Sequence, residues 1–165
     1  MASSKYPLEQ LSVIKQKKLE EAEKLLRDKK QLLKIEESKL KELEKARDKV
    51  KEHKDAKLTQ LRETLDAGTT SDKIQQMKDY LKVVQEELKK HEVKVKDQKK
   101  KVESAEQEVE NARKNLVKKQ QDVEKLVEHR KAWEKGYAKE LERLESLEAD
   151  ELGSAKHILR KHKKR

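Results

Sequence analysis

The side chains that could carry out chemistry in this sequence are five histidines and several pairs of neighbouring carboxylates. Two histidines can share a metal ion only if their rings lie on one face, and His157 and His162 are separated by about 140° around a helix. His53, His91 and His129 stand alone along the sequence. With no cysteine, the chain offers no thiolate and no disulfide. The sequence therefore predicts no metal site.

Catalysis by paired carboxylates needs a concave site that shields them from water. Pairs such as Glu20-Glu21 and Glu36-Glu37 stand in strongly charged stretches, where we expect open helical surface. The three glycines, at 68, 136 and 153, are too scattered to form a glycine-rich loop around a phosphate. We therefore expect no enzyme activity, no cofactor and no small-molecule substrate.

Basic side chains could instead contact phosphates or acidic proteins. Residues 1–66 carry 18 basic and 14 acidic side chains, and residues 67–154 carry 20 of each. Residues 155–165 supply the remaining six positive charges of the net +10, and residues 140–151 before them hold six acids and only Arg143. Binding of single-stranded nucleic acid is typical of surfaces richer in aromatic residues than this chain. For the basic tail we favour an acidic protein surface over nucleic acid.

The composition argues against a compact domain. Charged residues make up 47% of the chain and hydrophobic residues 32%, whereas a globular domain has about a quarter charged and almost half apolar. No apolar run is long enough to span a membrane, and residues 1–5 do not resemble a secretory signal. We expect a cytoplasmic protein.

A heptad repeat over residues 74–147 identifies the element that must position all these side chains. Two series of positions seven apart, starting at Ile74 and at Met77, carry mostly Leu, Val and Ala. Alternating steps of three and four place them on one helical stripe, which a second helix buries. The polar members His91, Gln98 and Lys119 are predicted to fix the register of the two helices.

Proline and glycine divide the chain into two helices. Pro7 is typical of a first helical turn, and Gly68 can end that helix in a left-handed conformation, with Thr70 or Ser71 capping the next one. So short a connection makes the helices antiparallel neighbours, and facing residues then have numbers that add to about 138. We predict an all-α protein, a single long antiparallel two-helix coiled-coil hairpin over residues 1–165. Its parts are a helix over 7–66, a turn over 67–71, a helix over 72–151 and, after a break at Gly153-Ser154, a basic tail over 154–165.

Two apolar surfaces remain outside this predicted seam. At ~1.5 Å per residue the second helix is ~30 Å longer than the first, so residues beyond about 132 have no partner in the chain. An apolar stripe left in water predicts a binding partner. On the first helix, Leu25 and Leu32 lie beside the seam. They indicate either a broad seam or a docking surface for another protein.

Two short stretches resemble a known family. Tyr6-Pro7-Leu8-Glu9, with Leu11, Ile14 and Lys15, resembles the start of the YscO/FliJ family, the stalk proteins of type III secretion and flagellar export. The stretch from Asp66 to Asp72, followed by Met77-Lys78, Tyr80 and Leu81-Lys82-Val83-Val84, looks like the chlamydial branch of that family.

The resemblance implies an antiparallel hairpin similar to the central shaft of rotary ATPases, at the cytoplasmic face of a bacterial secretion apparatus. Its implied partners are the hexameric export ATPase, the export gate protein and secretion chaperones. We expect a ring-facing end at the chain termini, a basic tail that meets acidic loops, and a Gly68 tip that points away. The predicted partner-binding residues are Tyr6, Leu8, Leu11, Leu25, Leu32, Trp133, Tyr137, Leu141, Leu144, Arg160, Lys161, Lys163, Lys164 and Arg165.

An alternative remains open from the residues alone. The chain could be a free-standing coiled-coil scaffold whose basic tail binds nucleic acid or an anionic surface. A pore shaft needs its functional residues at the end that carries the termini, whereas an arm that binds through its tip would concentrate them around Gly68.

Overall fold

The computed structural model describes residues 5–163, with side chains described from Lys5 to Lys161. It contains two α-helices, α1 (Glu9–Ala67) of 59 residues and α2 (Ser71–Lys163) of 93 residues. The two helices pack against each other as a hairpin, which confirms the predicted all-α fold. Side-chain bonds between the helices join partners that lie about equally far from the turn, for example Lys29 with Glu108 and Lys15 with Asp122.

The turn has the backbone geometry that the sequence predicted. Gly68 has a φ of 78°, in the left-handed region that favours glycine, and its amide donates to the Leu65 carbonyl at 3.2 Å. The amide of Ile74 donates to the Thr70 carbonyl at 3.3 Å. Thr70 therefore occupies the N-cap position of α2, and the chain reverses between Gly68 and Thr70.

Residues 22–115 form one compact unit, which we call the turn-bearing unit. Every predicted heptad position of α2 from Ile74 to Ala112 is buried or half-buried in it. Apart from Gln98, its most deeply buried side chains are small or branched, so a thin core of two helices excludes water. These residues are Ala22, Leu61, Val84, Leu88, Val95, Gln98, Val109 and Ala112.

A polar contact crosses the middle of this seam. The Nε2 group of Gln98 donates to the Glu36 backbone carbonyl at 3.2 Å and also to the Glu36 carboxylate. That carboxylate accepts a further bond from Lys39 at 2.8 Å. The bond from Lys39, followed by that from Gln98, lowers the pKa of Glu36 below its ordinary value. A shift of register would leave Gln98 buried without these acceptors, so the contact favours one alignment of the helices.

His91 occupies a second polar position of the seam. Its Nδ1 atom is buried and has no hydrogen-bond partner among the described residues. Arg47, which the facing rule places opposite His91, instead donates two hydrogen bonds to the Asp48 carboxylate. His91 therefore lacks the polar contact that Gln98 makes in the same seam.

The described residues 5–21 and 116–163 form the other unit, which we call the terminus-bearing unit. In it the seam continues through half-buried residues on both helices, including Leu19 of α1 and Leu126 of α2. Lys15 donates to the Asp122 carboxylate at 2.7 Å across the seam. From Ala138 to Lys161 every side chain is exposed. We call residues 138–163 the C-terminal extension.

The predicted break at Gly153-Ser154 is wrong, because α2 continues through it to Lys163. Glycine in a helix costs only about 1 kcal/mol relative to alanine, and no proline follows to stop the helix. The basic residues from Lys156 to Lys163 are therefore part of a continuous helix instead of a separate tail. Helix α1 begins two residues later than predicted, because Pro7 and Leu8 lie in a turn before it.

We expect Val84→Ala to lower the free energy of unfolding by about 2 kcal/mol, because it removes buried methyl groups and leaves a gap in the seam. Val84 is 3% exposed, whereas its neighbour Val83 is 60% exposed. Val83→Ala should therefore change the free energy by less than about 0.5 kcal/mol. Urea denaturation followed by circular dichroism measures both. Equal losses in the two variants would contradict the assigned seam.

The lowered pKa of Glu36 predicts a pH dependence of stability. The ionised carboxylate contributes stability above its ordinary pKa of 4.5, and this contribution is lost as the pH falls through the lower pKa of the folded state. We expect Glu36→Gln to flatten that part of the urea-midpoint curve measured between neutral and acidic pH. Glu37→Gln, a neighbouring exposed position, is the matched control and should leave the curve unchanged.

Candidate interaction site at the chain ends

Four aromatic and imidazole side chains meet where the N-terminal segment packs against α2. The Tyr6 hydroxyl lies 2.7 Å from His129 Nδ1, and its ring meets the Trp133 indole edge-to-face with centroids 5.5 Å apart. Trp133 in turn stacks on Tyr137 at 5.3 Å. We call Tyr6, His129, Trp133 and Tyr137 the aromatic clasp. It holds the start of the chain against α2.

The local sequence explains how the clasp forms. His129, Trp133 and Tyr137 recur every four residues, so they lie one above the other on one face of α2. Pro7 restricts the backbone beside Tyr6, and the amide of Glu9 donates to the Tyr6 carbonyl at 3.1 Å. This turn places the Tyr6 ring against α2, where it is only 5% exposed.

Charged side chains support the clasp at its edge. The Arg130 guanidinium lies 5.7 Å from the centroid of the Tyr6 ring and pairs with Glu134 at 3.0 Å and with Glu9 at 3.1 Å. The hydrogen bond to Glu134 and the charge of Glu9 raise the pKa of Arg130 further above its ordinary value. Arg130 therefore joins the first turn of α1 to α2 and covers the tyrosine ring.

The C-terminal extension begins immediately after the clasp. Its large apolar side chains are 36–69% exposed, and their spacing puts them on one broad side of the helix. They are Leu141, Leu144, Leu147, Leu152, Ile158 and Leu159. Arg143 forms an ion pair with Glu140 at 2.7 Å, and this bond lowers the pKa of Glu140. The extension is thus an amphipathic helix with an uncovered apolar face.

The structure brings some of the predicted site residues together. Tyr6, Trp133 and Tyr137 form the clasp, while Leu8 is half-buried and Leu11 is 40% exposed in the same unit. The remaining predicted residues of this unit lie on the exposed extension. They are Leu141, Leu144, Arg160 and Lys161. The side chain of Lys163, together with Lys164 and Arg165, lies outside the described residues.

Leu25 and Leu32 belong to the turn-bearing unit and are 43% and 51% exposed. Ile35, which is 44% exposed, shares their face of α1. Leu25 also borders a shallow groove whose other lining residues include Asn111 and Asn115. These leucines are therefore beside the seam, and their outer sides remain accessible.

Sequence reasoning missed His129 and Arg130 as members of the clasp. His129 stands alone along the sequence, and the series of positions seven apart from Ile74 includes Arg130 and so predicts a buried position for it. In the structure Arg130 is exposed and contacts the Tyr6 ring. The facing rule supplied a usable signal, because it places Tyr6 opposite residues around 132, within one helical turn of both side chains. The facing rule does not predict that the chain turns at Pro7 and directs the Tyr6 ring towards α2.

The described residues offer surfaces for protein contact more than for chemistry. Between residues 5 and 163, no three histidine, aspartate or glutamate side chains are grouped so as to hold a metal ion. Over the same residues, neither helix has a stretch long and apolar enough to cross a bilayer. The C-terminal extension, with the clasp at its base, is therefore the candidate site.

Comparisons with known proteins agree on one family. The family model described as YscO-like protein matches residues 3–163. The solved structure of a putative YscO homolog, CT670, from Chlamydia trachomatis is 45% identical with a TM-score of 0.92, and the match covers 96% of this chain and 98% of that chain. A chain in the structure of the Chlamydia pneumoniae CdsV and CdsO protein complex is 50% identical with a TM-score of 0.49, covering 51% of this chain and 98% of that one. The search of curated proteins gave no match.

We expect Tyr6→Ala to open the clasp and shift the emission of Trp133, the only tryptophan, to longer wavelength, since its indole edge becomes hydrated. Loss of the buried ring should also lower the free energy of unfolding by about 2–3 kcal/mol. Tyr80→Ala is the control, because Tyr80 pairs with His53 in the turn-bearing unit. It should leave the emission unchanged. An unshifted spectrum for Tyr6→Ala would contradict the clasp.

Proposed function

The chain belongs to the YscO-like family and is a component of type III secretion, and we propose that it is the stalk that contacts the hexameric export ATPase. In this proposal the terminus-bearing unit faces the ring, and the turn-bearing unit is left for other partners. The likeness to the Chlamydia trachomatis YscO homolog supports it, since the match extends over nearly the full length of both chains.

The uncovered apolar face of the C-terminal extension is the observation that carries the proposal. Leu141 and Leu144 are 36% and 45% exposed, and within residues 5–163 no second helix lies beside this part of α2. An unpartnered apolar stripe is costly in water and is typical of a binding surface. A single helix is also narrower than a helical pair, so an extension of this kind is suited to entering the pore of a ring.

The aromatic clasp gives the extension a fixed base. Trp133 and Tyr137 are stacked, and Tyr6 packs against Trp133 at the last level where both parts of the chain meet. Because these rings hold α2 in place, a force applied to the extension is transmitted to the two-helix seam. A stalk that works by contact alone needs such a rigid joint.

Charge supports contact with acidic loops of the ring. Arg160 and Lys161 are exposed near the end of α2, and basic side chains near a helix C-terminus also interact favourably with its dipole. Long-range attraction of this kind speeds the encounter between partners and weakens as salt increases.

The same proposal assigns the export gate protein and secretion chaperones to other surfaces. The face formed by Leu25, Leu32 and Ile35 is apolar, half exposed and part of the turn-bearing unit. It is therefore available while the terminus-bearing unit engages a ring. The stalk would act at the cytoplasmic face of the secretion apparatus and have no catalytic chemistry of its own.

Co-purification with the hexameric ATPase and stimulation of its ATP turnover test this function. We expect Leu141→Ser/Leu144→Ser to raise the concentration needed for half-maximal stimulation about tenfold or more, since two apolar contacts are lost. The control is Val83→Ser/Val93→Ser, which alters two exposed residues of the turn-bearing unit. It should stimulate like the unaltered chain.

Deleting residues 155–165 provides the second arm of the same experiment. The truncated chain should stimulate more weakly, and the difference should shrink as salt screens the missing positive charges. If the full chain neither binds the ATPase nor changes its turnover, the stalk function is wrong. If it stimulates but neither the leucine variant nor the truncation has an effect, the ring-facing surface lies elsewhere.

A further inference from the structure

The C-terminal extension is a long helix on which none of the other described residues packs. Its 26 residues, 138–163, are helical in the structure, and the described side chains are all exposed. An isolated helix owes most of its stability to the packing of an apolar face and is marginal in water without it. Leu152 and Leu159 are 63% and 69% exposed, more than any apolar residue of the seam. The extension therefore requires a partner to be stable.

Charge along the extension is separated into two blocks. Residues 140–151 hold six acidic side chains and only Arg143, whereas residues 155–161 hold Lys156, Arg160 and Lys161 and no acid. The rest of α2 mixes both signs along its length, with 14 acidic and 18 basic side chains over residues 71–138. A partner of one uniform charge would be repelled by one of the two blocks. A partner that matches both blocks has a basic segment facing residues 140–151 and an acidic segment facing residues 155–161.

A second copy of the extension, laid antiparallel, has that order. We propose that the extensions of two copies of this chain pair antiparallel, with the acidic block of each against the basic block of the other. A two-fold axis makes this contact twice, because the same patch is used on both copies. A parallel pair would instead set acid against acid and base against base.

The apolar residues also fit this arrangement. In a pair centred near residue 151, Leu141 and Leu144 of one copy lie beside Ile158 and Leu159 of the other. The contact extends for ~39 Å of helix. Near the centre, acidic side chains such as Asp150 and Glu151 approach their counterparts, and this repulsion keeps the pairing weak and reversible.

The pairing goes beyond the proposed function and stands independently of it. The face that two copies would bury is also the one that we assign to the ATPase ring, so one helix cannot serve both partners at once. A second copy would cover the apolar face when no ring is present and would be displaced on engagement. The test below uses the full chain alone, so its result does not depend on the ATPase.

Sedimentation equilibrium over a series of concentrations tests the pairing with two charge-reversed variants. The acid-reversed variant is Glu142→Lys/Glu145→Lys/Glu148→Lys, and the base-reversed variant is Lys156→Glu/Arg160→Glu/Lys161→Glu. The unaltered chain should form dimers. Each variant alone should self-associate at least about tenfold more weakly, because both contacts become repulsive. An equal mixture of the two variants should recover dimers, since opposite charges then face each other again.

The control reverses three exposed lysines of the turn-bearing unit, Lys94→Glu/Lys96→Glu/Lys100→Glu, and should dimerise like the unaltered chain. Circular dichroism checks that all variants remain helical. A chain that stays monomeric at every concentration overturns the proposal. It is equally overturned if either variant alone dimerises normally, or if the mixture does not recover dimers.

Discussion

The burial of one apolar stripe between two helices is the interaction on which this structure depends. Its core is a single row of side chains such as Val84, Leu88 and Val95, and a chain that is 47% charged has few others to bury. Because the row is thin, each position contributes directly to holding the helices together. No second layer compensates for a lost contact. The charged surface adds little, since exposed ion pairs such as Lys29 with Glu108 each stabilise by less than about 1 kcal/mol.

A two-helix seam is weakest where it ends, because helix termini fray. The chain places three of its four aromatic residues there, as Tyr6, Trp133 and Tyr137. Large rings bury more area per residue than the valines and alanines of the seam, so the clasp compensates for the missing turns. In the turn-bearing unit the two helices are joined covalently by the turn around Gly68.

The seam and the turn could be predicted because each depends on the types and spacing of residues that are close in the sequence. A spacing of three and four residues identifies the buried stripe, and a glycine between two long helical stretches identifies the reversal. The roles of His129 and Arg130 could not be read in this way, since they depend on where one tyrosine ring is directed. The continuation of α2 through Gly153 was missed for another reason. One glycine costs a helix little, and neighbouring helical residues on both sides outweigh it.

Beyond Tyr137 no other described residue buries the apolar stripe of α2. The stripe of α2 continues through Leu141 and Leu144, but these residues lie beyond the level of Glu9, where α1 begins. The same hydrophobic effect that pairs the helices therefore acts on the extension and favours whatever can cover it. Its two blocks of opposite charge restrict the choice, because only a partner with matching blocks avoids repulsion along the whole length. In our two proposals the ATPase ring and a second copy use this one face, so binding of one partner would limit binding of the other.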